Sequence, residues 1–244
     1  MRTLSASQLL EVWERGFGRA PAEQALILLA AACPDLPPDE LAAMSIGQRD
    51  ACLLTLREGL FGSRLDGLVT CPACAERLEL DLQTTDLRAG EAERRENGPL
   101  SLETTGYDIR FRLPDSTDLI DARGMDTAAL RRSILRRCLL SVRRGMLEIP
   151  PEELPGEVVS AIAGRMAQAD PQAEVLIAVT CPACSHGWKA IFDIAAFVWR
   201  EITAWSYRIL YEVHQLACAY GWREADILAL SPWRRKCYLE LAGR

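Results

Sequence analysis

Apolar residues recur at spacings of three and four through the first sixty residues and again through the last fifty, and between those blocks they alternate over short runs. The first pattern predicts helices and the second half-exposed strands. Near the start, Leu9, Leu10, Val12 and Trp13 follow Ser5 and Gln8, a serine and glutamine spaced as a capping box, and Gly16 and Gly18 close that helix. Pro21 opens a second helix through Leu26–Leu29, which Cys33-Pro-Asp-Leu-Pro-Pro stops. A short helix over Asp39–Met44 and a longer one from Ser45 to Gly62, striped by Leu53, Leu54, Leu56 and Leu60, complete an all-helical unit over residues 1–67.

From Leu68 the period changes. Leu78, Leu80 and Leu82 alternate with Glu79 and Asp81, as in a strand with one wet face. Arg88–Gly98 is charged and lacks apolar period, which predicts a mobile connection. Leu100–Glu103 and Tyr107–Leu113 predict a hairpin turning at Thr105-Gly106. Ser116 or Thr117 is placed to cap a short helix, and Asp126 or Thr127 a long one whose stripe of Leu130, Ile134, Leu135, Cys138, Leu139 and Val142 runs to Gly145. Arg131, Arg132, Arg136, Arg137, Arg143 and Arg144 then share that helix. A proline-rich linker at 150–156, a helix over Val158–Met166 and a strand over Val175–Val179 follow. The final third predicts one long amphipathic helix from Ile194 to Ala219, a break at Gly221, and two short helices, the last capped by Ser231 with Pro232 in its first turn. The expected fold class is mainly α with small β elements, an α+β chain. Its parts are a helical unit at 1–67, two split ribbon halves at 68–87 and 172–193, an inserted hairpin-plus-helices subdomain at 88–171 and a helical unit at 194–244.

Composition narrows the chemistry. A net charge of −6 opposes broad phosphate binding, and the arginines of the 131–144 segment fit a solvated helix face better than a nucleic-acid footprint. No apolar run approaches the roughly 20 residues of a membrane-spanning helix, and Glu11, Glu14 and Arg15 interrupt the N-terminal apolar positions before any leader can form. Two histidines and the absence of GxSxG, HExxH or a phosphate-cradling glycine loop leave hydrolase, metalloprotease and kinase chemistry without a local signature. The acids at 91–96 and Glu152-Glu153 sit in polar stretches as solvated charge. The expectation is a non-enzyme with no small-molecule substrate.

Nine cysteines, an odd number, without an export signal favour thiols that meet metal over disulfides. Four of them stand in two matching segments, Val69-Thr-Cys71-Pro-Ala-Cys74 and Val179-Thr-Cys181-Pro-Ala-Cys184. Each reads as strand, tight turn, strand, the knuckle of a zinc ribbon, and together Cys71, Cys74, Cys181 and Cys184 supply the four thiolates of one closed structural Zn2+ site. Two dithiol redox pairs, or two separate sites completed by His186, are the competing arrangements. Ala75 and Ser185 occupy the place where knuckles often carry glycine, which predicts a somewhat different turn. The 106 residues between Cys74 and Cys181 make the metal the closure of a whole insertion. Cys33, Cys52, Cys138, Cys218 and Cys237 stand singly, as small apolar residues do. Five of the six tryptophans lie in the last quarter. Trp222 and Trp233, with Arg234 and Arg235, are candidate partner-binding residues.

The string from Tyr220-Gly-Trp-Arg-Glu-Ala-Asp to Trp233-Arg-Arg-Lys-Cys-Tyr-Leu-Glu-Leu241 resembles the tail of baseplate proteins of the T4-type phage hub class, which occur also in extracellular contractile injection systems. Leu9-Leu10-Glu-Val-Trp-Glu-Arg-Gly, the Cys-Pro-Ala-Cys turn with its Glu-Arg-Leu-Glu-Leu strand, and Arg112-Leu-Pro-Asp-Ser-Thr-Asp-Leu are similar to members of the same clusters. The resemblance implies a baseplate or baseplate-assembly component, made in the cytoplasm, fitted between larger tail subunits in a phage-tail-like particle, and carrying no cofactor beyond the metal. The alternative reading is a zinc-ribbon nucleic-acid-binding protein using Arg131–Arg144 or the terminal helix pair.

Overall fold

A computed structural model of the chain describes residues 1–89 and 98–243. Most of the connection expected to be mobile, with its acids at 91–96, lies outside the described residues. Four helices come first: α1 (Ala6–Gly16), α2 (Pro21–Ala32), α3 (Pro38–Ala42) and α4 (Ile46–Phe61). Ser5 with Gln8 and Ser45 with Gln48 form reciprocal capping boxes, so backbone amides at both helix starts find side-chain acceptors. Two antiparallel ribbons follow on either side of the insertion, β1 (Arg64–Thr70) with β2 (Arg77–Gln83), and β7 (Leu176–Thr180) with β8 (Gly187–Ile191). The last elements are α8 (Ile194–Tyr220), α9 (Glu224–Leu228) and α10 (Pro232–Ala242).

The insertion holds β3 (Leu100–Thr104), β4 (Tyr107–Phe111), α5 (Ser116–Asp121), α6 (Thr127–Cys138), β5 (Leu139–Arg144), β6 (Leu147–Glu148) and α7 (Gly156–Ala169). Its sheet has the order β3-β4-β5-β6. Here the sequence expectation is corrected: α6 ends at Cys138, and Leu139–Arg144 is a strand. Ile109 pairs with Val142 and Arg110 with Ser141, but Phe111 pairs with Leu139, so Leu140 is an extra, exposed residue at a bulge. The bulge puts Leu139 and Val142 on the same face at a spacing of three, which is how a strand came to imitate a helix. The reason for the strand is tertiary: β4 would otherwise leave its second edge unpaired. Arg143 and Arg144 therefore leave the α6 arginines, and Arg144 sits over the Tyr107 ring. Gly145, at positive φ, turns the β5–β6 hairpin. The cap of α5 is Asp115, whose carboxylate accepts from the Thr117 and Asp118 amides, and neither Ser116 nor Thr117 serves.

Apolar side chains gather in three clusters among the described residues. The largest joins α1, α2 and α4 to the first half of α8, with Leu65, Leu87 and Val175 from the ribbon bases. A second is the insertion's own, centred on Ile109, Phe111, Val142, Val158 and Ile162. A third lies under the second half of α8, with Leu216, Ile227, Trp222 and Tyr238. Buried ionic groups tie elements together. Arg57 donates to both carboxylate oxygens of Glu201 at 2.7 and 2.6 Å and to the carbonyls of Gly62 and Arg64, joining α4, α8 and the root of β1. Asp118, fully buried, accepts from Arg112 at 2.6 and 2.8 Å and from Arg137 at 2.7 Å.

Burial works against the Asp118 charge, but the Arg112 and Arg137 guanidiniums and the Asp115 amide outweigh it and hold the carboxyl down to about 2 from an ordinary 3.8. Because the folded value is the lower one, the contribution is complete above about pH 4 and is lost as pH falls towards 2. Asp118→Asn should cost about 3 kcal/mol at neutral pH, since it removes the buried charge and sets an NH2 donor against guanidinium or backbone donors at one of the two oxygen positions, and should flatten the acid limb of a stability-against-pH curve measured by urea denaturation.

Gly47 sits where a Cβ would lie 2.0 Å from Asp170 Oδ1 and 2.9 Å from the Ala173 nitrogen. Gly47→Ala should therefore destabilise by about 2 kcal/mol by overpacking, against the usual helix preference for alanine; thermal melting checks it.

Candidate metal centre

The repeated hexapeptide makes a repeated turn. In the first knuckle the Cys71 amide donates to the Glu76 carbonyl at 2.8 Å and the Ala75 amide to the Cys71 carbonyl at 3.0 Å. In the second, Cys181 donates to His186 at 2.9 Å and Ser185 to Cys181 at 2.8 Å. Ala75 and Ser185 take φ of 61° and 58°, the left-handed conformation that glycine adopts without penalty. The turn is thus the one a glycine would make, held here by residues that carry a Cβ, in place of the altered turn expected from the sequence.

The two knuckles bring four sulfurs together. Cys71 Sγ lies 3.7 Å from Cys184 Sγ and Cys74 Sγ 3.6 Å from Cys181 Sγ, and all four lie within 4.8 Å of one another. Four ligands about 2.3 Å from a tetrahedral zinc ion stand about 3.8 Å apart, so donor type and spacing both fit a metal ion. Cys71 and Cys181 are buried and Cys74 and Cys184 exposed.

The protonation balance points the same way. Burial opposes the Cys71 thiolate, but the Cys74 and Ala73 amides and the Cys74 and Cys184 side chains outweigh it and bring the thiol down to about 7. At Cys74 the Glu76 amide favours the thiolate, yet the Cys184 side chain, burial and the other two sulfurs push it up to about 12. The pocket thus accommodates one negative sulfur readily and resists the next. A bound cation removes that conflict, because it replaces thiolate repulsion with attraction.

His186 stacks on Trp188 and is not among the grouped donors, and His214 touches Cys218 on α8. The arrangement of two separate histidine-completed sites does not form. Nor do two isolated dithiols, since each thiol also contacts a sulfur of the opposite knuckle.

What brings the second knuckle back to the first is a set of polar contacts at the base of the ribbons. The Gln172 side chain donates to the Leu87 carbonyl at 2.8 Å and accepts from the Ala89 amide at 2.9 Å, clasping the outgoing chain to the returning one. Asp170 accepts from the Gly47 amide at 2.8 Å, at the start of α4. Ile46 donates to the Pro114 carbonyl, and Arg49, paired with Asp50, reaches Ser116. Sequence reading missed all of these. Asp170-Pro171-Gln172 carries no local signal beyond a turn, and the residues it meets are more than eighty positions away.

Residues 8–199 match the family described as T4 bacteriophage base plate protein. The chain belongs to that family. No curated protein and no solved structure matches it. The baseplate-family match runs from α1 into the first turns of α8. It includes both knuckles and Arg112–Leu119, and it stops short of the Tyr220–Leu241 string that also suggested the resemblance.

That C-terminal segment carries the candidate partner residues, and the structure separates them. Trp233 is 71% exposed and Arg234 is exposed beside it on α10. Arg235 is 5% exposed, bonded to Glu212 and the Leu230 carbonyl, so it holds α10 against α8 and does not face a partner. Trp222 is half-buried between Tyr220 and Tyr238, with ring centroids at 4.7 and 4.8 Å. A surface that the sequence reading did not single out lies nearer the body, where Trp13 contacts both Phe17 and Tyr207 and the latter two are 69% and 59% exposed. No helix among the described residues is long and apolar enough to cross a membrane.

Elemental analysis of the purified chain should find one metal ion per chain, lost in Cys71→Ser. Chelation should raise proteolytic sensitivity in the knuckle turns while leaving far-ultraviolet helical signal nearly unchanged, because the insertion's base is closed by Gln172 and Asp170 without the metal.

Proposed function

We propose that this baseplate-family chain is a zinc-stabilised, non-catalytic structural or assembly component of a phage-tail-like contractile injection system baseplate. The observation that carries the reading is the family match over residues 8–199, which takes in both halves of the four-thiol site. Cys71, Cys74, Cys181 and Cys184 would hold a single Zn2+. With four thiolates in place no coordination position is left for water, so the ion would act as a cross-link between the ribbons.

The units bounded at 67, 87, 171 and 193 then have distinct tasks. The N-terminal helices and the first half of α8 form the body, the insertion presents its own small sheet, and the C-terminal helices supply a docking surface. Support for docking comes from exposed aromatic side chains on a separately packed terminal unit, since large rigid aromatics beside arginine dominate interface energetics. Other baseplate or tail proteins are the proposed partners. The chain would be made in the cytoplasm and incorporated in the particle.

Co-expression with the neighbouring tail proteins, followed by particle purification, tests the reading. The chain should co-purify stoichiometrically with the baseplate. Trp233→Ala combined with Arg234→Glu should leave folding stability within about 0.5 kcal/mol, as exposed positions do, yet reduce incorporation at least tenfold; undiminished incorporation would remove these two residues from the interface.

A further inference from the structure

The four thiols alternate in burial as well as in sequence. The first cysteine of each knuckle, Cys71 or Cys181, is buried, and the second, Cys74 or Cys184, is exposed. Two sulfur–sulfur contacts run between knuckles, at 3.7 Å for Cys71 and Cys184 and 3.6 Å for Cys74 and Cys181. Each of these pairs therefore joins one accessible sulfur to one shielded sulfur. The two pairs use every thiol once, so both can be bridged in the same molecule.

We infer that the cluster is also a modification site for hydroperoxides, at which disulfides form across the knuckles, Cys71 with Cys184 and Cys74 with Cys181, in place of the metal. The inference rests on the metal-site reading for its starting state. The exposed sulfur of Cys74 or Cys184, kept as a thiolate by the bound metal, attacks one peroxide oxygen; the O–O bond breaks, leaving a sulfenic acid and, after protonation, water from hydrogen peroxide or the alcohol from an organic hydroperoxide. The buried thiol of the opposite knuckle then attacks that sulfur; the S–S bond forms, the S–O bond breaks, and water leaves. Each disulfide consumes one peroxide, which takes up two electrons, and removes two hydrogens from the thiol pair. The bridged sulfurs no longer carry the negative charge that a divalent ion needs, so the ion is released.

The pairing decides the mechanical outcome. Bridges within a knuckle, Cys71 to Cys74 and Cys181 to Cys184, would leave the two ribbons unconnected at their tips. Bridges between knuckles replace one cross-link by another. A protein folded around metal in a reducing cell then keeps its ribbons joined after transfer to oxidising surroundings.

Full-length chain carrying Cys218→Ser, which removes an exposed thiol outside the cluster, would be treated with graded hydrogen peroxide in a zinc-loaded and a chelator-stripped form. Zinc release would be followed with a chromogenic indicator, and linkages mapped by non-reducing peptide mass spectrometry. The expected product has lost one zinc equivalent, is lighter by four hydrogens than the reduced metal-free chain, contains Cys71–Cys184 and Cys74–Cys181 peptides, and regains zinc after dithiothreitol. Within-knuckle peptides, or sulfinic and sulfonic acids on Cys74 and Cys184 without bridges, would overturn it. If the chain proves unable to take up zinc, the structural-metal reading fails, and the linkages formed in the stripped form still decide the pairing.

Discussion

Two short turns separated by 106 residues have to return to within a sulfur–sulfur contact of one another, and the rest of the molecule is arranged around that closure. Closing a loop of that length costs little more entropy than closing one half as long, so an entire subdomain can be carried between the two halves. What the closure does demand is direction, because ribbons that meet only at their tips are free to splay. The Gln172 clasp on Leu87 and Ala89, and the Asp170 bond to Gly47, fix the base of the ribbons and aim them. The sulfur cluster then has only the tips left to join.

This division of labour explains why the site combines buried and exposed sulfur. The ribbons project from the largest apolar cluster, with Leu65 and Val179 the buried residues along their strands and most other positions half-buried or exposed. A pair of two-stranded ribbons buries too little apolar surface to hold itself together in water. The four clustered sulfurs stand where no hydrophobic core is available, and metal ligation there, as proposed, would supply the missing cohesion. The family match encloses both knuckles.

The C-terminal unit follows a different logic. Helix α8 is long enough to serve two cores, its first half packed with the N-terminal helices and its second half with α9 and α10. Arg235 and Glu212 anchor the last helix inward, which turns Trp233 and Arg234 outward. A buried ion pair here sets which face of α10 is presented. The exposed face of α10 therefore depends on Arg235, a residue that sequence alone grouped with Trp233 and Arg234.

Much was legible in the sequence because it rests on local physics. The helix starts at Ser5, Pro21, Ser45 and Ser231, the Thr105-Gly106 turn and the Gly221 stop follow from capping, fixed φ and left-handed backbone, all of which act within a few residues. The paired Cys-Pro-Ala-Cys segments were equally plain, since the requirement for four thiolates can be counted. Residues 139–144 were misread because a bulge against β4 converts strand spacing into helix-like spacing, and only the neighbouring strand reveals it. Gln172, Asp170 and Arg57 gave no signal, for the partners they satisfy lie far along the chain. Local sequence determined the elements and the cysteine-bearing turns, because short-range sterics and hydrogen bonding act on neighbours. Only the tertiary structure decided which arginines are buried, which strand edges are paired and how the two knuckles are brought together, because those follow from desolvation and pairing between groups that meet only once the chain has folded.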